Sequence, residues 1–283
     1  MKKLTVLIPT LNRQKALTVT LTSLCFQNWK NFDIVIADQS EHGVCSDDGV
    51  AAGSDNGGAD GRADECLGAV TRLLRKNGHL VRVLRNHPPR GMAQQRQFLL
   101  ENSQTPYSLF LDDDLVLEPY VIRNMLRTLE VEGCGFTGCA VIGLSHLRDV
   151  RPHQQCIEFW EGRVEPEHVA PGSREWERHY LHNAANLYHV QERLRASPDS
   201  PLRYKVAWVG GCVMYDTEKL LDAGGFGFWK ELPSEHCGED VLAQLRVARK
   251  YGGCGLLPSG VYHQELRTMV PQRKVNAPEY LGF

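Results

Sequence analysis

The amino-acid sequence predicts an α/β fold in which a mostly parallel central sheet carries helices on both faces. In the first 130 residues, short apolar runs of strand length alternate with stretches whose apolar residues recur at helical spacing. This alternation is typical of parallel sheets, because a crossover between parallel strands needs a connection as long as a helix. The runs are apolar throughout, which indicates strands that are buried on both faces.

The individual elements follow from these runs and from the polar residues that interrupt them. The predicted strands of the first half are residues 4–8, 32–37, 80–84 and 107–111. A helix follows the first strand, with Asn12 as its expected N-cap, and further helices cover residues 92–101 and begin at Pro119, near a first helical position. The second half is less regular, with expected strands at 136–144 and 204–215 and expected helices at 171–196, 218–223 and 241–251.

One segment departs from the alternation. Residues 41–66 are rich in Gly, Ala and Asp and contain almost no large apolar side chains. Such a stretch buries too little surface to offset its chain entropy, so we expect a mobile surface insertion. A calcium-binding loop is the alternative, but the carboxylates of this segment lack the spacing of an EF-hand.

Composition and charge narrow the possible partners. The formal net charge of 283 residues is -2, so no overall basic field favours nucleic acid. No run approaches the roughly 20 apolar residues of a membrane-spanning helix. We therefore expect a soluble cytoplasmic protein without a transmembrane segment, with peripheral attachment at the inner face of the membrane as the alternative.

Three consecutive carboxylates, Asp112, Asp113 and Asp114, come directly after the fourth predicted strand. Three negative charges in a small space repel one another, and a divalent cation such as Mg²⁺ or Mn²⁺ resolves the conflict because it prefers oxygen ligands. The alternative is an acidic turn that caps the next helix. In a parallel sheet, ligands bind outside the carboxyl ends of the strands, where Thr10 and Asp38 are also expected.

Three further features carry possible chemistry. Glu239 and Asp240 stand at a predicted helix start, where they act either as a general base or as carboxylates that suit the helix dipole. His263 follows an apolar stretch and is either a metal ligand or an ordinary polar residue. Arg96 lies in a segment suited to phosphate binding, or on an exposed helix face.

Taken in order, these segments resemble the inverting family 2 glycosyltransferases, which have the GT-A fold. Two matching stretches lie at the first two strands: Thr5-Val6-Leu7-Ile8-Pro9-Thr10-Leu11-Asn12-Arg13 and Ile34-Val35-Ile36-Ala37-Asp38. Two more lie at the third helix and the fourth strand: Gly91-Met92-Ala93-Gln94-Gln95-Arg96 and Phe110-Leu111-Asp112-Asp113-Asp114. Three lie in the second half: Gly210-Gly211-Cys212-Val213-Met214, Gly238-Glu239-Asp240-Val241 and Val261-Tyr262-His263. Residues 145–203 match no family motif, and such enzymes vary there to suit their acceptors.

The resemblance implies a role for each matching residue. Asp240 would be the catalytic base, Asp114 and His263 would hold Mn²⁺ or Mg²⁺, and Gly210, Gly211 and Glu239 would lie beside the acceptor or donor sugar. The donor nucleotide would be bound by Pro9, Thr10, Arg13, Asp38, Arg96, Asp112 and Asp113. Residues 1–130 would form the nucleotide-sugar-binding half, and residues 131–283 a partly helical acceptor-binding and catalytic half of the same domain.

The resemblance also implies the partners. The donor would be a nucleotide-diphospho-sugar, with a UDP-sugar favoured because Asp38 is compatible with uracil. The acceptor would be a saccharide, a lipid-linked molecule or another hydroxyl compound. A non-catalytic nucleotide-sugar binding module and a sugar nucleotidyltransferase are the alternatives. A dehydrogenase would need a glycine-rich fingerprint after the first strand, where Pro9 and Thr10 stand instead.

Overall fold

The computed structural model describes residues 2–40, Gly43, 59–268 and 273–283, and within these residues eight strands form one sheet. Their order across the sheet is β3 (Val81–Arg85), β2 (Phe32–Asp38), β1 (Leu4–Thr10), β4 (Tyr107–Leu111), β8 (Cys212–Asp216), β6 (Phe136–Gly138), β9 (Gly253–Leu257) and β7 (Leu202–Tyr204). Four of the seven neighbouring pairs are parallel, and the three antiparallel pairs are β4 with β8, β6 with β8, and β7 with β9. The mostly parallel central sheet is therefore confirmed.

The helices and strands alternate regularly in the first half of the chain. The strands are β1 (Leu4–Thr10), β2 (Phe32–Asp38), β3 (Val81–Arg85), β4 (Tyr107–Leu111), β5 (Leu115–Leu117), β6 (Phe136–Gly138), β7 (Leu202–Tyr204), β8 (Cys212–Asp216), β9 (Gly253–Leu257) and β10 (Val261–His263). The helices are α1 (Gln14–Cys25), α2 (Ala59–Lys76), α3 (Met92–Glu101), α4 (Val121–Glu132), α5 (Asn186–Leu194), α6 (Thr217–Asp222), α7 (Glu239–Tyr251) and α8 (Ala277–Tyr280).

Helices cover both faces of the sheet, as expected from the fully apolar strands. Leu4, Val6 and Ile8 of β1 contribute to one buried cluster, which also contains apolar residues of α1, α2 and α4. Leu7 of the same strand contributes to the other cluster, together with residues of α3, α5 and α7. Because side chains alternate along a strand, each face of the sheet forms its own apolar layer.

Two predictions about the first half are wrong in part. The helix after β1 begins at Gln14 with Arg13 in the N-cap position, and Asn12 instead has a φ of 52° while its backbone N–H donates to Ser40 Oγ at 2.7 Å. The predicted insertion 41–66 ends too late, because α2 already covers residues 59–66. Apart from Gly43, residues 41–58 of the predicted insertion lie outside the described residues.

Three predictions about the second half are also corrected. The expected long helix 171–196 is a 3-10 helix, Glu175–His182, followed by α5, and the chain breaks between them where Ala184 has a φ of 51°. The expected strand 204–215 is two strands, β7 and β8, which lie at different positions in the sheet. The expected strand 136–144 is regular only over β6.

None of the helices among the described residues is both long enough and apolar enough to cross a membrane.

Candidate active site

Strand pairing brings the predicted site residues to one edge of the sheet. Thr10, the last residue of β1, lies opposite Asp38, the last residue of β2. Strand β4 pairs with the other side of β1, so the three carboxylates that follow it lie at the same edge. The carboxyl ends of neighbouring parallel strands form the usual ligand-binding crevice of such sheets.

Asp113, the middle carboxylate of the three, is buried and bonded within the protein. Its Oδ2 accepts a hydrogen bond from Thr10 Oγ1 at 2.7 Å, and its Oδ1 accepts one from Arg13 Nη1 at 3.2 Å. Burial raises its pKa to about 6, against the effect of these two donors. Asp113 therefore joins β4 to the β1–α1 turn and keeps Arg13 in the site.

Asp114 is placed between a guanidinium and an imidazole. Its Oδ2 lies 2.7 Å from Arg13 Nη1 and 3.4 Å from His263 Nε2. His263 is brought here because β10 pairs with β5, the strand that begins directly after Asp114. Its Nδ1 accepts the backbone N–H of Glu265 at 2.7 Å, so the ring proton of neutral His263 is on Nε2, facing Asp114.

The charges of this group reinforce one another. Burial alone raises the pKa of Asp114, but the hydrogen bond from His263 and the charges of His263 and Arg13 outweigh it, so the pKa lies below its ordinary value. The same hydrogen bond raises the pKa of His263. Asp114 is therefore ionised at neutral pH.

A divalent cation fits the chemistry of this pair. A carboxylate oxygen and an imidazole nitrogen are both good ligands for Mn²⁺. Among the described residues no group of three or more His, Cys, Asp or Glu side chains is arranged to hold a metal ion, so further ligands would have to come from a substrate or from water. The Arg13 guanidinium now compensates the charge of Asp114, and its Nη2 also donates to the Arg267 carbonyl. A cation that binds Asp114 therefore has to compete with Arg13.

Asp112, the first of the three carboxylates, belongs to a second group around Arg96 of α3. Arg96 Nη2 lies 3.1 Å from Asp112 Oδ1, and its Nε lies 3.0 Å from Glu239 Oε1 at the start of α7. Burial disfavours the charged guanidinium, but the surrounding carboxylates more than compensate and raise the pKa of Arg96. One arginine therefore joins α3, the end of β4 and the first turn of α7.

We expect Arg96→Met to destabilise the fold by about 3 kcal/mol, because it leaves two carboxylates without their cation. Urea unfolding followed by circular dichroism measures the difference. Arg249→Met is the matched control, since Arg249 is exposed on α7 and its replacement should change the stability by less than about 0.5 kcal/mol. Equal stability of the two variants would contradict the bridging role of Arg96.

Asp240 lies beside this bridge, in the first turn of α7. Asp240 and Arg96 both line a small cleft. Its other lining residues are Phe110, Gly211, Val213, Tyr215 and Phe226. Burial and the charge of Glu239 raise the pKa of Asp240 to about 7, against the effect of Arg96. A carboxylate with this pKa in a cleft suits a general base that works at neutral pH.

The two glycines next to this cleft differ in what the fold requires of them. Gly211 has a φ of +77°, and a Cβ there would lie 2.8 Å from Val141 Cγ2. A Cβ on Gly210 would meet no atom within 4 Å. The fold therefore requires glycine at 211, whereas the open space in front of Gly210 is available to a ligand.

We expect Gly211→Ala to cost about 1–3 kcal/mol through backbone strain and the contact with Val141. Gly210→Ala should be neutral or stabilising by up to about 1 kcal/mol, because it restricts the unfolded chain without a clash. Parallel urea titrations of the two single variants measure both values. A larger loss in Gly210→Ala than in Gly211→Ala would show that the open space is misassigned.

Asp38 lies at the same edge of the sheet as Thr10, but it forms an ion pair with Arg85, a residue that the sequence analysis did not identify. Its Oδ2 lies 3.0 Å from Arg85 Nη1, and its Oδ1 accepts the backbone N–H of Ser40 at 2.8 Å. Arg85 ends β3 directly opposite Asp38. Arg85 could have been found from its position at the end of the third apolar run, where site residues are expected. Pro9 is buried within β1, one residue before Thr10.

Comparison with known proteins gives a family match and a set of related folds. Residues 55–194 match the family model described as Glycosyl transferase family 2. No curated protein sequence matches this chain.

Solved structures of glycosyltransferases are similar over almost the whole chain. The mannosyltransferase PcManGT from Pyrobaculum calidifontis, in complex with GDP-Man and Mn²⁺, has a TM-score of 0.54 at 16% identity, over 95% of this chain and 58% of its own. Residues 1–349 of S. aureus TarS, in complex with UDP-GlcNAc, give 0.52 at 15% identity, over 95% and 60%. A longer TarS structure gives 0.51 at 16% identity, over 92% and 36%. This chain thus spans between a third and three fifths of the length of these proteins, and the likeness is one of fold.

Proposed function

We propose that this chain transfers a sugar from a nucleoside-diphosphate donor to a hydroxyl acceptor, with inversion at the anomeric carbon. The proposal is supported by the match of residues 55–194 to the Glycosyl transferase family 2 model and by the GT-A fold. Residues 1–130 bind the nucleotide-sugar in this proposal, and residues 131–283 supply the base and the acceptor site. The observation that carries it is the cleft in which Asp240 lies beside the bridge of Arg96, Asp112 and Glu239.

The donor nucleotide is assigned to the ends of β1, β2 and β4. Thr10 and Asp38 lie in register at this edge, and Arg85 and Arg13 bring positive charge to it. Positive side chains near the diphosphate and a carboxylate near the base suit a nucleoside diphosphate. A UDP-sugar is the first donor to test, since a carboxylate can accept a hydrogen bond from the uracil N–H. Asp38 is buried and bonded to Arg85 and Ser40, so it would have to exchange one of these partners for the base.

Asp240 is assigned as the general base. The acceptor oxygen forms a bond to the anomeric carbon while the bond from that carbon to the β-phosphate oxygen breaks. The acceptor proton passes to the Asp240 carboxylate, and the electron pair of the broken bond leaves with the diphosphate. Arg96 keeps Glu239 and Asp112 paired beside the base, so that less negative charge opposes its ionisation.

Asp114 and His263 are assigned as the protein ligands of Mn²⁺ or Mg²⁺. Such a cation would stabilise the negative charge that develops on the leaving diphosphate. Asp113 keeps the carboxylates aligned through Thr10 and Arg13, and it is placed beside the nucleotide without direct contact to the cation.

A thermal-shift screen of UDP, GDP, ADP and CDP, each with and without Mn²⁺, tests the donor site. A ligand that prefers the native state raises the melting temperature, so one nucleotide should stabilise the protein and Mn²⁺ should increase the effect. Slow release of the nucleoside diphosphate from the matching nucleotide-sugar would support an enzyme. Binding of nucleotide-sugar without any turnover would point to a non-catalytic binding module, and no stabilisation by any nucleotide would contradict the proposal.

A further inference from the structure

A cluster of aromatic rings lies on the acceptor half of the protein, outside the cleft already described. Trp176, His179 and Tyr180 come from the 3-10 helix Glu175–His182, and Trp208 comes from the segment between β7 and β8. The centroids of Trp176 and Trp208 are 4.5 Å apart, and His179 stacks on Trp208 at 4.9 Å with an interplanar angle of 14°. We refer to these four residues as the aromatic platform.

The platform is partly open to solvent. Tyr180 is 43% exposed, and both tryptophans are only half-buried. The rings therefore present part of their apolar area, together with their polar edges, at the surface, where a ligand with matching chemistry can contact them.

The platform packs directly against the helix that carries the base. Trp176 and Trp208 contact a small apolar cluster that includes Val241 and Leu245 of α7. Val241 is the residue after Asp240, so the platform lies next to the first turn of that helix. The first turn of α7 therefore carries both the proposed base and a residue in contact with the platform.

Hydrogen bonds fix Trp208 relative to the base. Gln244 is fully buried, and its Oε1 accepts the Val209 N–H at 2.8 Å while its Nε2 donates to the Val209 carbonyl at 2.8 Å. The same Nε2 also lies 3.2 Å from the Asp240 carbonyl. One amide thus ties the residue after Trp208 to the backbone of Asp240, which holds a binding surface and a catalytic group in a constant arrangement.

The chain segment that links the platform to the cleft carries no side chain at residue 210. Gly210 stands between Trp208 and Gly211, and Gly211 lines the cleft with Asp240. A Cβ on Gly210 would meet no atom within 4 Å, and the backbone there does not need glycine. Residue 210 therefore leaves open space in the segment that links Trp208 to the cleft-lining Gly211.

We propose that the aromatic platform binds the sugar ring of a saccharide acceptor and directs one of its hydroxyl groups to Asp240. A sugar ring has apolar C–H faces that pack on aromatic faces and hydroxyl edges that remain hydrated, so its chemistry matches rings with polar edges better than an alkyl chain does. This inference rests on the proposed transferase function and names the acceptor class of that same site.

The test uses the 283-residue protein with UDP or the best nucleotide of the thermal screen, Mn²⁺, and soluble trisaccharides of glucose, N-acetylglucosamine, galactose and mannose. Saturation-transfer NMR measures saccharide binding, and calorimetry measures nucleotide affinity. The variants are Trp208→Ala, Trp176→Phe and Gly210→Leu. Gly210→Leu leaves every ring in place and fills only the open space, so it remains informative if Trp208→Ala does not fold. Phe26→Ala, which removes a 66% exposed ring beyond the end of α1, is the matched control.

We expect at least one trisaccharide to bind the wild type and the control equally. Trp208→Ala and Gly210→Leu should each weaken that binding by about tenfold or more, Trp176→Phe should weaken it less, and nucleotide affinity should stay within about twofold. Wild-type saccharide binding that survives both Trp208→Ala and Gly210→Leu would overturn the inference, as would a protein that binds nucleotide but none of the trisaccharides. The absence of nucleotide binding, by contrast, would defeat the proposed function itself.

Discussion

Replacement of Asp240 with Asn should lower sugar transfer by about 10²- to 10⁴-fold, because in the proposed mechanism the acceptor hydroxyl then loses the group that takes its proton. Donor binding should persist, since Arg96 and the carboxylates after β4 remain in place. Steady-state transfer rates and donor affinity by calorimetry measure the two effects separately. Asp222→Asn is the matched control, because Asp222 is an exposed carboxylate paired with Lys250 and should leave both values unchanged. Equal turnover of Asp240→Asn and wild type would exclude Asp240 as the base.

The pH dependence of kcat/KM and of stability tests the role of Asp240 in a second way. The pKa of Asp240 is raised from its ordinary 3.8 to about 7, so kcat/KM of the wild type should fall about tenfold per pH unit below about pH 7. Stability should change in the same range. Because the raised pKa belongs to the folded state, the unfolded state releases this proton first, and the wild type loses stability as the pH rises from about 4 to about 7. Asp240→Asn lacks that loss, so its melting temperature relative to the wild type should increase over this interval.

Replacement of Asp114 with Ala should abolish the Mn²⁺ dependence of donor binding and weaken it by on the order of 100-fold. Asp114 is the carboxylate that His263 and Arg13 both approach, and its loss leaves His263 as the remaining protein ligand in this proposal. Calorimetry of the donor nucleotide with and without Mn²⁺ measures the change.

An exposed carboxylate that is not among the proposed metal ligands provides the control for this experiment. Asp149 is an exposed residue paired with Arg151, and Asp149→Ala should bind the donor like the wild type. Identical donor affinity of the wild type with and without Mn²⁺ would contradict the assigned metal site. Retention of the Mn²⁺ effect in Asp114→Ala would show that the cation binds elsewhere.

The first half of the fold could be predicted because its local and long-range signals agree. The apolar runs of β1, β2 and β4 are strongly strand-like, and the position of Asp112 to Asp114 after β4 followed directly from the end of such a run. Helix α2 was missed because its first residues share the Gly-, Ala- and Asp-rich composition that precedes them, although Leu67, Val70 and Leu74 recur at helical spacing and form its apolar face.

The second half could not be predicted as well, because its structure depends on tertiary contacts. The break between the 3-10 helix and α5 is stabilised by Asn186, whose side chain donates to the Tyr180 carbonyl at 3.0 Å, and no periodicity reveals such a contact. The pairing of Arg96 with Glu239 joins residues 143 positions apart. The aromatic platform is invisible in the sequence for the same reason, since Trp176 and Trp208 are distant along the chain.

The antiparallel strand β8 has a consequence for any attempt to divide the protein. Strand β8 lies between β4 and β6, so one edge of β4 is hydrogen-bonded to residues 212–216, which follow more than a hundred positions later in the sequence. A polypeptide that stops at residue 130, or even at 194, would leave this edge of β4 without a pairing strand. Unpaired strand edges form hydrogen bonds with strands of other molecules, so we expect such fragments to aggregate when they are expressed alone. The proposed nucleotide-binding and acceptor-binding halves thus share one sheet, and we expect that they cannot be exchanged as separate modules.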